Sequence, residues 1–293
     1  MSFLLDEEKT WFQRDFGLDS RLIKALSKLG FTYPTLVQSK SIPIALQGKD
    51  ILIRARTGSG KTAAFSLPLL NKLISLKESD TDQQPSIKAI ILAPTKELCK
   101  QIEKNIIDLC YYCRDLVTIC SLIDDSNAAQ QFRLQNRPDI IIGTPARIYG
   151  HVKSNTSLDL SQVKTLVIDE ADLILSFGYS GDVQSIISRM PKIFQGILLS
   201  ATLSPELDKF KRVVLHNPAV LKLQDANPIG NLLQFFLYST DDDKFLILYV
   251  FLKLGLLQVC FLLLSLLCRS TLISFNYFVQ YLAWTCREKV LYS

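Results

Sequence analysis

Histidine is nearly absent. The chain carries two, His151 and His216, so imidazole metal clusters and histidine-dependent nucleophilic triads have almost no material to be built from. Cysteine is sparse in a different sense. Seven are present, but the close pair Cys110 and Cys113 has no second pair to complete a zinc set, and all read as reduced thiols of an intracellular protein. The start, MSFLLDEEKTWF, turns acidic at Asp6 and lacks the basic beginning and apolar core of a signal peptide. Neither sign of charge dominates: Lys and Arg number 33 against 28 acidic residues, a net charge of +5, a mild bias toward a polyanion partner. Acid runs out near the end, where Glu288 is the one acidic residue after Lys244. What remains, 48% hydrophobic and 21% charged over 293 residues, is a globular composition with room for one large domain or two ordinary ones.

Glycine is concentrated where it can act. Residues 55–62 read Ala-Arg-Thr-Gly-Ser-Gly-Lys-Thr directly after Ile51-Leu52-Ile53. Small residues after a strand let backbone N–H groups curl around phosphate oxygens, and the helix that follows points its positive end at the same charge. Ala55, Thr57, Gly58, Ser59 and Gly60 would form the cradle, Lys61 would reach the outer phosphates and the Thr62 hydroxyl would hold Mg²⁺. Ala55 stands where the G-x-x-x-x-G-K-[ST] pattern begins with Gly. Farther on, Asp169-Glu170-Ala171-Asp172 follows Leu166-Val167-Ile168. An Asp at a strand end can hold Mg²⁺ through its water shell, and the adjacent Glu can orient and deprotonate an attacking water. Together the two motifs are the parts of a nucleoside-triphosphate site that also holds Mg²⁺.

Between these motifs short apolar runs alternate with helical patterns, which predicts an α/β fold: a parallel sheet with helices on both faces. Strands are expected at 50–54, 89–93, 118–122, 139–142, 165–168, 196–199 and 220–223, and helices at 62–76, 96–112 and 183–190, with Pro94, Pro145, Pro191 and Pro205 at boundaries. Residues 77–86 read as an exposed loop and 240–244 as a linker.

These residues resemble a DEAD-box RNA helicase over roughly residues 12–249, which implies a RecA-like P-loop domain and makes the expected cofactors ATP and Mg²⁺. Gly30 to Gln38 resembles the adenine-reading Q motif of that family, with the Gln38 amide donating and accepting at once and an upstream aromatic, Phe12 in preference to Phe16, holding the base. Pro94 and Thr95, then Thr144 and Arg147, resemble the family's contacts to the RNA backbone. Ser200-Ala201-Thr202 resembles its coupling motif, whose hydroxyls would bond to the acidic motif. By this resemblance Lys61, Asp169, Glu170, Ser200 and Thr202 are the catalytic set, Phe12, Gln38 and residues 55–62 hold the nucleotide, and Thr62 and Asp169 hold the metal. Residues 16–22, 55–57 and 172–179 further resemble the branch serving large-ribosomal-subunit assembly, which implies pre-ribosomal RNA as partner and the nucleus and nucleolus as location.

The resemblance assigns residues 1–28 to an N-terminal flank, 29–238 to the ATP-binding domain and 239–257 to a linker with the start of a second domain. It ends at Gln258. No H-R-x-G-R-like motif, the family's source of an arginine finger, occurs in the sequence. From Phe245 to Cys268 every residue but Lys253, Gly255, Gln258 and Ser265 is apolar, and three readings compete for this region: a buried core helix, a membrane span, or, for 258–293, an aberrant tail on a truncated product. The last is the expectation.

Overall fold

The computed structural model describes residues 5–6, 10–11, 16–79, 84–123, 127–153, 158–202 and 204–223, with positions 243, 246, 249, 250 and 253 beyond them. Phe12 and the segment 258–293 lie outside the described residues. The chain divides into a unit of residues Met1–Gln224 and one of Asp225–Ser293. The first unit therefore ends earlier than the expected boundary at 238. Nor do its first 28 residues stand apart, because Trp11, Phe16, Leu22, Ala25 and Leu26 are all buried in its core.

In chain order the elements are α1 (Ser20–Lys28), α2 (Leu36–Leu46), β1 (Ile51–Arg54), α3 (Lys61–Ser79), β2 (Ala89–Leu92), α4 (Lys96–Leu109), β3 (Ile119–Ser121), α5 (Asn127–Gln135), β4 (Ile140–Gly143), α6 (Pro145–Lys153), β5 (Thr165–Ile168), α7 (Ala171–Ser176), α8 (Ser180–Ile187), β6 (Gln195–Ser200), α9 (Pro205–Val214) and β7 (Ala219–Lys222). The seven strands form one sheet in the order β3-β4-β2-β5-β6-β1-β7, and every pairing is parallel. All seven predicted strands are present, with ends shifted by at most one residue.

Alternation along the strands builds two cores. Ile51, Ile53, Ala89, Ile91, Ile140, Ile142, Val167 and Leu199 face α1 to α4, whereas Leu52, Ile90, Leu92, Ile141, Leu166, Ile168 and Leu198 face α6 to α9. A strand buried on both faces reads as a continuous apolar run, which is why these segments show no polar alternation. Buried polar groups pin the sheet where side chains alone would leave register loose. Asp50 accepts from the N–H groups of Gly196 (2.8 Å) and His216 (2.6 Å), and the Gln195 amide donates to the carbonyls of Ala45 (2.8 Å) and Lys49 (2.9 Å). These bonds tie β6 to the chain just before β1, and so fix the spacing of the loops at the opposite, carboxyl ends of the same strands.

All three expected helices differ from the observed ones: the one expected at 183–190 is α8, Ser180–Ile187, and the other two differ at their ends. α3 continues through Lys77, Glu78 and Ser79, residues expected in a loop. Its last turn is held by an ion pair between Lys77 and the buried Asp139 (2.8 Å). α4 stops at Leu109 rather than Tyr112. In the second unit, the Lys253 ammonium lies 5.6 Å from the centre of the Tyr249 ring, one helical turn earlier. Among the described residues no helix is long and apolar enough to cross a membrane.

Candidate nucleotide and RNA site

The loop from Ala55 to Gly60 leaves the end of β1 and feeds α3. Its first residue is still part of the sheet, the Ala55 N–H donating to the Ser200 carbonyl at 3.2 Å. Positive φ falls on Gly58 (+78°) and Gly60 (+87°), not on Ala55, so a methyl group is tolerated where the motif usually has glycine. Ser59 closes the loop on itself by donating to the Arg56 carbonyl at 2.8 Å. Lys61 begins α3 with its side chain turned back into the loop, 7% exposed, and its ammonium donates to the Ala55 carbonyl at 3.1 Å.

Gln38 braces this loop from outside. Thr35 and Gln38 form a reciprocal capping box on α2: the Thr35 hydroxyl accepts from the Gln38 N–H (3.3 Å), and the Gln38 amide oxygen accepts from the Thr35 N–H (2.8 Å). The amide nitrogen then donates to the Gly60 carbonyl at 3.1 Å. The contact is close enough that a Cβ on Gly60 would lie 2.5 Å from that nitrogen and 3.0 Å from the Thr35 hydroxyl. A primary amide has two donors and an oxygen with two lone pairs. One donor and one acceptor position are left, the pair an adenine edge requires.

Two strands away, Asp169 extends the pairing of β5 with β2, its N–H donating to the Leu92 carbonyl at 2.9 Å. Its carboxylate, 3% exposed, accepts from the Glu170 N–H at 2.9 Å. Glu170 sits at φ 48°, ψ 52° ahead of α7 and its side chain makes no capping bond. A non-glycine residue in the left-handed region is uncommon and strained. Here it turns the chain sharply at the strand end and keeps the carboxylate from being consumed by the helix it precedes. Burial pushes the Asp169 carboxyl above the ordinary range against the pull of Lys61. Burial, then the Asp169 charge, pushes Glu170 up as well.

Gln38, Thr57, Gly58, Gly60, Lys61, Thr62, Asp169 and Glu170 line one cavity of about 860 Å³, within the usual size of a small-molecule site. The residues fit a metal-bound polyphosphate. The buried Lys61 ammonium uses one of its three donors on protein, and its charge faces two carboxylates held above their ordinary pKa. The hydroxyl and carboxylate oxygens on offer are the hard donors Mg²⁺ prefers. Among the described residues no group of three or more His, Cys, Asp or Glu could hold a metal; Mg²⁺ is usually held by one or two carboxylates with water and phosphate completing its shell.

The Ser200–Thr202 segment divides its work differently from expectation. The Thr202 hydroxyl and N–H both reach the acidic motif, donating to the Asp172 carboxylate at 3.0 and 3.1 Å. The Ser200 hydroxyl does not. It donates to the Thr202 carbonyl at 2.8 Å, because Ser200 is fully buried at the end of β6 and its nearest acceptor is its own turn. Asp172, the last residue of the acidic tetrapeptide, thus joins the site as the acceptor for Thr202.

The residues expected at RNA gather at neighbouring strand ends. Leu92 of β2 pairs with Gly143 of β4, so Thr95 and Thr144 leave the sheet side by side, each at the start of a helix. The Thr95 hydroxyl caps α4 by accepting from the Leu98 N–H at 3.2 Å. Thr144 is 9% exposed and Arg147 half-buried. Pro94 is buried; in this conformation its ring shapes the turn and is not presented to a ligand. His151 is bonded to Gln130 at 2.6 Å, and burial, with the nearby Arg147 charge, pushes its pKa down.

Residues 35–210 match the DEAD/DEAH box helicase family. The chain belongs to that family. Over 259 residues it is 44% identical to a probable ATP-dependent RNA helicase, ddx56, of Dictyostelium discoideum, an alignment spanning 88% of this chain and 37% of the relative. It is 42% identical to the ATP-dependent RNA helicase dbp9 of Schizosaccharomyces pombe, across 86% of this chain and 42% of that protein. The chain thus spans about two-fifths of the length of these relatives. The crystal structure of a DEAD box protein from Methanococcus jannaschii superposes with a TM-score of 0.65 at 29% identity, covering 85% of this chain and 63% of the other. The loop, the acidic turn and the Ser200–Thr202 segment described above occupy the carboxyl ends of the parallel strands, where α/β sheets bind ligands.

Proposed function

We propose that this chain is the ATP-binding and RNA-binding half of an ATP-dependent RNA helicase acting on ribosomal RNA precursors in the nucleolus. The observation that carries the reading is the continuity of the two sites: one cavity holds Lys61, Thr62, Asp169 and Glu170, and the Thr202–Asp172 bonds join the strand end after β6 to the acidic turn after β5, whose other neighbour, β2, leads to Thr95.

In this reading residues 55–60 and Lys61 bind the phosphates, Gln38 reads the adenine edge with its remaining donor and acceptor, and Phe12 stacks on the base. Thr62 and Asp169 hold Mg²⁺, which when bound supplies charge neutralisation at the phosphates. Glu170, its carboxylate left free by the left-handed turn and its proton affinity raised, takes the proton of the attacking water. Thr95, Thr144 and Arg147 grip sugar-phosphate, which positions RNA without reading sequence. The ATP-binding unit is Met1–Gln224, with the N-terminal flank packed into its core; 239–257 is the linker with the start of a second domain, and 258–293 an unrelated tail. The likeness to proteins named ATP-dependent RNA helicases supports this assignment, and ribosomal RNA as substrate rests on the branch resemblance of residues 16–22, 55–57 and 172–179.

A second reading is favoured by one sequence fact. Without the H-R-x-G-R-like source of trans-acting arginines, worth about 10³–10⁵ in turnover in related phosphoryl-transfer enzymes, the chain binds ATP and RNA but does not turn over. RNA-stimulated ATP hydrolysis by the purified chain beside Glu170→Gln separates the two. RNA-dependent turnover abolished in the variant supports the helicase half as an active ATPase. No turnover with ATP bound supports the binding module, and no ATP binding at all overturns both.

A further inference from the structure

The nucleotide cavity opens at the carboxyl ends of the strands. A second cavity of about 490 Å³ lies at their amino ends, between the segment entering β2, the C-terminal ends of α5, α6 and α8, and the segment preceding β5. Its apolar lining is aliphatic: Ile87, Leu134, Val152 and Leu160 are each less than a tenth exposed, and Leu158 is half-buried beside them. Its rim is basic. Arg137 and Arg189 are both exposed on it, with the exposed carboxylate of Asp159 between sequence neighbours Leu158 and Leu160. The Asp159 carboxylate accepts from the Ser161 N–H at 2.9 Å and feels the Arg137 charge. No described carboxylate is paired with Arg189. Arg137 itself stands at φ +46°, a conformation a long side chain seldom adopts.

We propose that this cavity is a docking site for an acidic peptide segment of a partner protein, one that buries an aliphatic side chain on the leucine floor and sets flanking carboxylates against Arg137 and Arg189. Charge complementarity selects this occupant. Two guanidiniums against a single exposed carboxylate leave a positive rim, and guanidinium is the cation best shaped for bidentate carboxylate pairing. RNA fits the site less well: sequence-tolerant binding of single strands relies on aromatic platforms in a basic groove, whereas this floor is aliphatic and Asp159 would repel phosphate. Because the cavity lies at the opposite end of the strands from Lys61 and Glu170, a partner held here would leave the nucleotide cavity free.

The test is fluorescence anisotropy of the full chain with a labelled hexapeptide, Glu-Glu-Leu-Leu-Glu-Glu, and its counterpart with lysine for glutamate, beside a labelled oligouridylate. The variants are Arg137→Asn, since Asn accepts the left-handed backbone, and Arg189→Gln, singly and together; retained binding of an ATP analogue shows that they fold. Saturable binding of the acidic peptide, weakened about tenfold in the double variant, with no saturable binding of the basic peptide, is the expected result. Three outcomes overturn the proposal: no saturable binding of the acidic peptide, equal affinity in the double variant, or oligouridylate binding that is lost with these two substitutions.

Discussion

Replacing Gly60 by Ala tests how the phosphate loop is braced. The residue sits at φ +87°, so any side chain carries a left-handed backbone penalty of about 1–2 kcal/mol. Gly58, at φ +78°, would carry the same penalty, but a Cβ there meets nothing within 4 Å. A Cβ on Gly60 lies 2.5 Å from the Gln38 amide nitrogen and 3.0–3.1 Å from Thr35, so Gln38 must move and its bond to the Gly60 carbonyl is lost. That loss is worth about 0.5–1.5 kcal/mol, and forcing the side chain off its rotamer costs about as much again. Gly58→Ala should therefore lower stability by about 1–2 kcal/mol and Gly60→Ala by about 2–5. Gln38→Ala removes the obstacle beforehand, so Gly60→Ala should cost about 1–3 kcal/mol less in that background than in wild type. Urea midpoints for the four single and double variants, with affinity for a fluorescent ADP analogue, measure the cycle. Effects that add within about 0.5 kcal/mol, or a Gly60→Ala no worse than Gly58→Ala, would refute the brace.

Asp169→Asn removes a carboxylate whose pKa burial raises. The native state then holds the proton more tightly than the unfolded chain, so the penalty is absent in acid and grows as pH rises through and above the ordinary carboxylate range; the variant should gain more in Tm near neutrality than in acid while losing Mg²⁺-dependent nucleotide affinity, and a Tm gain independent of pH would count against this. Thr202→Val deletes the hydroxyl bond to Asp172 but keeps the backbone one. ATP-analogue affinity should hold, and the nucleotide-dependent gain in RNA affinity should fall about fivefold, read by anisotropy with and without the analogue; an unchanged gain would remove Thr202 from the coupling. Arg147→Ala should weaken oligouridylate binding at every sequence and reduce the salt slope by about 0.7, measured by titration across KCl concentrations, whereas a sequence-selective loss would point to base contact.

The central strands were legible because each is buried on both faces and so reads as an unbroken apolar run such as Ile140-Ile141-Ile142, whereas β7 is partly exposed along its length. Helix ends were less so. α3 passes through Pro68 and runs on to Ser79, and the polar sequence of its last turn looks like loop until the Lys77–Asp139 pair, formed across the fold, is known. At the site, local chemistry was readable: the glycines, Lys61, Thr62 and the acidic pair follow one another along the chain. What joins the pieces was not. The bonds from Gln38 to Gly60 and from Thr202 to Asp172 span 22 and 30 residues, and side-chain identity does not reveal that a Ser200 hydroxyl will turn to its own backbone while Thr202 reaches across. The spacing Thr35-x-x-Gln38 does signal a capping box, and the structure forms it, which gives Gln38 a structural duty beside its expected reading of adenine.

The central claim is that the cavity around Lys61 binds a nucleoside triphosphate. Isothermal titration of the full chain with a non-hydrolysable ATP analogue and Mg²⁺, beside Lys61→Ala of matched circular dichroism, tests it most directly. The account predicts saturable one-to-one binding that weakens at least about tenfold when the charge-assisted phosphate contact is removed. Equal affinity in the two proteins would place the nucleotide elsewhere and contradict it.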